Sequence, residues 1–151
     1  MKDRKRQDMH DKNRLLHQQI TEIILGCCFE VMNELGSGFL ESVYKNALIV
    51  AIKEKGLRIE AEKRFEVIFR KRKIGLYIAD LIVEDFILIE LKCCTQLLSE
   101  HQAQLINYLK VSGILVGLLV NFGKRKIEYK RLHHPDHPTA GDLLLCCSAE
   151  S

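Results

Sequence analysis

Apolar positions along this chain change period repeatedly, and each change marks the boundary of an element. Ile20, Ile24, Cys27, Val31 and Leu35 recur three or four residues apart, the spacing of one helix face. Gly36 follows, where a glycine commonly ends a helix. Helical spacing resumes from about Leu40 to Lys55 and stops at Gly56, so Glu41, Tyr44 and Leu48 share a face. Ile59, Ala61, Phe65, Val67 and Phe69 then alternate as in a strand, and 70–75 reads as a turn. Two nearly continuous apolar runs, 76–83 and 86–92, predict central strands buried on both faces. Ser99 and Gln102 have capping-box spacing and open a third helix that reaches Ser112 and stops at Gly113. Strands over 115–122 and 127–132 complete the order α-α-β-β-β-α-β-β, which predicts an α/β fold with a mixed sheet flanked by helices.

Inside the central runs stand three charged residues that an apolar strand does not need. Asp80 lies in the first run, and Glu90 and Lys92 lie in the second, two residues apart and so on one face. Burying such groups is costly unless they meet a counter-charge, a metal or a charged substrate. Hard carboxylate oxygens suit Mg²⁺ or Mn²⁺. A bound divalent ion acidifies water and neutralises charge building on a phosphate, and a neighbouring lysine assists. The alternative is an ordinary charged pair at a strand end, with Lys92 reaching out to water. Register adds a condition. With a two-residue loop at Glu84-Asp85, Asp80 would pair with Ile89 and face away from Glu90. A shared ion therefore requires a three-residue loop or a bulge near Asp80.

Length and composition bound the rest. At 151 residues with 47% hydrophobic content, one domain is expected. No apolar run is long enough to span a bilayer, and the N-terminus lacks the apolar core of a secretory signal, so a cytoplasmic location is expected, without membrane association. No glycine-rich phosphate loop appears, which argues against a nucleotide cofactor. The six cysteines form three adjacent pairs, 27–28, 93–94 and 146–147, which is not zinc-ligand spacing, and they read as free thiols. Net charge is only +3, but basic residues cluster. Residues 1–14 carry Lys2, Arg4, Lys5, Arg6, Lys12 and Arg14 and read as a disordered basic arm ahead of a domain over 15–132. Arg70, Lys71, Arg72 and Lys73 form a second block, and 124–126 a third, each able to meet phosphates or simply face solvent. The histidine- and proline-containing stretch from 133 to 151 reads as a flexible tail.

Four segments in order carry a family resemblance. They are Gly38-x-x-Glu41-x-x-Tyr44; Asp80 followed by Glu90-x-Lys92; Gln104 with Asn107 and Tyr108; and the run from Gly117 to Gly123. Over roughly Ile20 to Leu132 the chain resembles the GxxExxY proteins of the PD-(D/E)XK nuclease superfamily. Ser37 stands where that family commonly has proline, and a histidine common before Leu35-Gly36 is missing. The resemblance implies a restriction-endonuclease-like fold and a metal-dependent nuclease acting on DNA or RNA, DNA being preferred. It implies Asp80, Glu90 and Glu41 as metal ligands, Lys92 to position the water and Gln104 to support the site. Arg70, Lys71, Arg72 and Lys73, with Tyr44 and Tyr108, are the candidate nucleic-acid contacts. A homodimer is left open. The competing reading is a catalytically silent nucleic-acid-binding or protein-interaction module on the same fold.

Overall fold

The structure, a computed structural model, describes residues 2–136. It has α1 (Lys2–Leu35), α2 (Glu41–Glu54), β1 (Ile59–Phe69), β2 (Arg72–Val83), β3 (Ile87–Lys92), α3 (Ser99–Ser112), β4 (Val116–Asn121) and β5 (Glu128–His133). This is the element order expected from the periodicity. The five strands lie side by side in sequence order. Only β3 and β4, joined through α3, run parallel, and the other neighbours are antiparallel. Among the described residues no helix is long and apolar enough to cross a membrane.

The sheet is covered on both sides, which explains the unbroken apolarity of its centre. Ile87, Ile89 and Leu91 of β3, with Leu118 and Val120 of β4, pack under α1 and α2 against Ile24, Cys28, Leu48 and Ile52. Leu88 and Leu119 point the other way, onto Leu105 and Leu109 of α3. Cys27 and Cys28 are buried and free, packing as small apolar side chains.

Boundaries differ from expectation in four places. The basic arm is not disordered, because α1 continues without interruption to Lys2. No glycine or proline precedes Gly26, so nothing in that polar stretch breaks the helix. The turn expected over 70–75 shrinks to Arg70 and Lys71, both in left-handed conformation, and Arg72 and Lys73 already belong to β2. The capping box at Ser99 does not form. Leu98 is the N-cap, and its N–H donates to Nδ1 of His101, 3.0 Å away. Finally, His133 ends β5 and the His134 N–H donates to the Leu115 carbonyl at 2.8 Å, so both belong to the sheet edge and not to a tail. His137, Cys146, Cys147 and the remainder of the expected tail lie outside the described residues.

The Gly38-x-x-Glu41-x-x-Tyr44 motif acts as a splint between α1 and α2. Tyr44 is fully buried and stacks on Phe122, with ring centroids 4.8 Å apart. Its hydroxyl donates to the Gly36 carbonyl at 2.6 Å and accepts from the Phe39 N–H at 3.3 Å. Gly38 has φ +107°, a conformation that side chains disfavour. The tyrosine thus clamps the loop that delivers Glu41 to the start of α2. Tyr44 is therefore corrected from a nucleic-acid contact to a loop anchor, since neither its ring nor its hydroxyl is free. Tyr44→Phe should keep the fold but lower its unfolding free energy by about 1–3 kcal/mol, because two polar backbone groups lose their partner. A urea midpoint equal to wild type would overturn the clamp.

Candidate active site

β1 and β2 change faces halfway along, and Asp80 stands at the change. Leu81 and Val83 point into the core under α1 and α2. Ala79, and Tyr77 beyond it, point toward α3 instead. In a regular strand residues 79 and 81 would share a side. Across the ladder, residues 61 and 63 pair with 81 and 79, and Glu62 between them adopts φ +54°. Both strands kink together there.

The loop before β3 meets the register condition. Val83 pairs with Ile87, which leaves the three residues Glu84, Asp85 and Phe86 in the turn and sets Asp80 opposite Glu90. The ladder between β2 and β3 covers only 81–83 against 87–89, and beyond it side chains take over. The Leu91 N–H donates to Asp80 Oδ2 at 2.9 Å, and the Asp80 N–H donates to Glu90 Oε1 at 3.2 Å. Each carboxylate thus bonds backbone of the opposite strand, and the pair fills the opening between strands.

The groups around the opening influence one another's titration. Burial, then the charge on Asp80, pushes Glu90 up to about 8, against partial relief from the Asp80 N–H and Lys92. Glu41 is also raised, by burial and then by Asp80, with Lys92 and Lys45 opposing. Tyr108 lies in the wall on the α3 side, nine-tenths buried and edge-on to Tyr77 at 4.8 Å. Its hydroxyl is raised by burial and then by Glu90 and Asp80. Burial leaves it no exposed ring for stacking on a base.

Asp80 and Glu90 therefore meet, with Lys92 next along β3, and Glu41 on α2 feels the charges of Asp80 and Lys92. The described residues nonetheless contain no group of three or more histidine, cysteine or acidic residues spaced to hold an ion as they stand. Asp80 and Glu90 make the pair, and Glu41 does not close a third side. Gln104 is exposed on α3 and, among the described residues, forms no hydrogen bond to the carboxylates. Arg70, Lys71, Arg72 and Lys73 sit away from the carboxylates, exposed at the tip of the β1–β2 ribbon. There Arg70 lies 5.0 Å above the Phe69 ring, and Lys73 pairs with Glu66 at 3.3 Å.

Two residues with no role assigned from sequence support the site. Lys45, one helical turn after Glu41, pairs with Glu62 at 3.0 Å, and its pKa is raised by that bond first and further by Asp80 and Glu41. Asn121 is completely buried. Its Oδ1 accepts from the N–H groups of Cys94 and Gly123, and its Nδ2 donates to the Cys94 carbonyl at 2.9 Å. A Cβ on Gly123 would collide with that carbonyl, so only glycine fits. With the Phe122 N–H bonded to the Lys92 carbonyl at 2.8 Å, this clamp fixes the chain directly after Lys92. An asparagine two residues before a glycine at a strand end was the available signal.

A model of the PD-(D/E)XK nuclease superfamily matches residues 18–132. The chain belongs to the PD-(D/E)XK nuclease superfamily. Its mixed five-stranded sheet flanked by helices is the restriction-endonuclease-like fold. A solved structure described as "Crystal structure of SSO0001" is similar at 22% identity and a TM-score of 0.49, over 70% of this chain and 57% of that one. The chain therefore spans just over half the length of that protein. No protein of curated function matches it.

The donor set fits a hard divalent ion. A buried Glu90 carboxylate faces the half-buried Asp80 carboxylate, and burial first, then the charge on Asp80, raises the pKa of Glu90. In the unfolded chain Glu90 titrates at its ordinary 4.5, and in the folded one near 8. The folded state thus binds the extra proton between those values, and ion-free stability should fall as pH rises through that window. Glu90→Gln should flatten the dependence, measured as melting temperature in chelator below and above the window. Added Mg²⁺ or Mn²⁺ should raise the melting temperature of wild type above the window and not that of the variant. A wild-type melting temperature that is insensitive to both pH and ion would rule out the paired-carboxylate account.

Proposed function

We propose that this superfamily member is a nuclease that hydrolyses phosphodiester bonds with a divalent ion, Mg²⁺ or Mn²⁺. The carrying observation is the reciprocal bonding of Asp80 and Glu90 across the opening between β2 and β3, with Lys92 next along β3. Asp80 and Glu90 would hold the ion, and Glu41 would act through the waters that Mg²⁺ retains. When bound, the ion supplies Lewis acidity to the phosphate and acidifies a water. The backbone N–H groups on each carboxylate fix its direction. Lys92, anchored by the Asn121 clamp, places its ammonium beside the carboxylates, where charge develops on the phosphate. Gln104 stands on the exposed side of α3, open to contact substrate rather than the carboxylates.

DNA is the preferred substrate, with RNA the alternative. From Asp80 to Lys73 the strand rises about 23 Å, roughly seven steps along a nucleic-acid strand. A substrate lying on the opening can therefore meet the basic tip of the same ribbon. A silent binding module is the second reading, favoured by the lack of a third ligand close to the carboxylate pair among the described residues.

Cleavage of labelled single-stranded, duplex and branched DNA and RNA, with Mg²⁺, Mn²⁺ or chelator, separates these readings. Glu90→Ala and Lys92→Ala should each lower the cleavage rate by about 10²-fold or more, the scale for removing a group that stabilises developing charge, and leave affinity within a few-fold. Reversing the charge of Arg70, Lys71, Arg72 and Lys73 should weaken binding and flatten its salt dependence instead. Wild-type protein that binds nucleic acid yet cuts none of these substrates with either ion would replace the nuclease with the binding module.

A further inference from the structure

The N-terminal part of α1 is exposed along most of its length. From Asp3 to Leu16 nearly every residue is exposed, and at His17 the ring lies 4.6 Å from that of Phe86. This exposed stretch is about 20 Å long, and a helix of that length is marginal in water by itself.

The exposed residues are patterned. Lys5, Met9, Lys12, Leu16, Gln19, Ile23, Gly26 and Glu30 alternate by four and three, one continuous stripe. Met9, Leu16 and Ile23 on it are 63%, 44% and 38% exposed. Gly26, a mid-helix glycine that costs stability, has nothing of its own chain within 4 Å of where a Cβ would be. Charge divides along the helix. Lys and Arg outnumber Asp six to three up to Arg14, whereas from Leu15 to Leu35 the only charged residues at neutral pH are Glu22, Glu30 and Glu34. At that acidic end α1 and α2 enclose a groove of about 240 Å³, lined by Glu34, Ala47 and Glu54 together with an exposed Val50.

We infer that α1 is a dimerisation helix, pairing antiparallel with α1 of a second copy. A two-fold axis near Gln19 sets Leu16 of one copy against Ile23 of the other, and Lys5 against Glu34. The basic, Met9-bearing arm of each copy enters the acidic groove of its partner, and Gly26 lets the two helices approach closely. A helix that is basic at one end and acidic at the other is complementary to itself only when antiparallel, which gives a closed pair. A nucleic acid laid along the same stripe would meet Glu30 and Glu34, so a second copy is the better occupant. Glu30 also pairs with Lys55 in its own chain, so Glu34 is the cleaner reporter.

Light scattering on the full chain should give twice the monomer mass of 17.4 kDa. Leu16→Lys, at an exposed position, should return it to the monomer mass with an unchanged circular dichroism spectrum. Lys5→Glu should weaken the dimer at least tenfold, and adding Glu34→Lys should restore it, which a mere loss of folding would not. A monomeric wild type at every concentration overturns the inference, as does a Lys5→Glu, Glu34→Lys double variant no more dimeric than Lys5→Glu alone. A monomer in which Leu16→Lys alters DNA affinity would assign the stripe to nucleic acid instead.

Discussion

The site depends on one exchange of hydrogen bonds. Where β2 and β3 part company, the backbone ladder ends and the Asp80 and Glu90 side chains take its place, each bonding the opposite strand. A sheet that simply frayed would leave N–H groups to water. Here the same bonds that finish the pairing also hold two carboxylates in contact, at a cost visible in the raised pKa of Glu90.

Much of the surrounding architecture serves that opening. The kink at Glu62 and Asp80 turns the outer ribbon from the α1–α2 side to the α3 side. The Tyr44 splint fixes the loop before Glu41, and the Asn121 clamp fixes the chain after Lys92. Three elements from distant parts of the sequence are thereby fixed around the same opening. The residues around the opening are thus of two kinds: carboxylates and a lysine that can do chemistry, and a tyrosine, an asparagine and glycines that hold the chain beside them.

The sequence by itself determined the number, type and order of the elements, because burial on one or both faces imposes a period that needs no partner to be read. It also singled out Asp80, Glu90 and Lys92, since charges inside apolar strands are conspicuous, and it posed the register condition that the three-residue loop satisfies. Tertiary structure alone decided what periodicity cannot encode. Tyr44 looks the same in sequence whether its ring faces a base or Phe122, and only packing shows it buried. The basic arm looks disordered by composition, yet continues a helix already nucleated by the buried turns after it. Glu41 shares a motif with the other acids, but its separation from them depends on how α2 docks. Gln104 faces solvent because α3 turns Leu105 and Leu109 to the sheet. Contacts between residues far apart in sequence are set by docking angles and strand register, which no local pattern specifies.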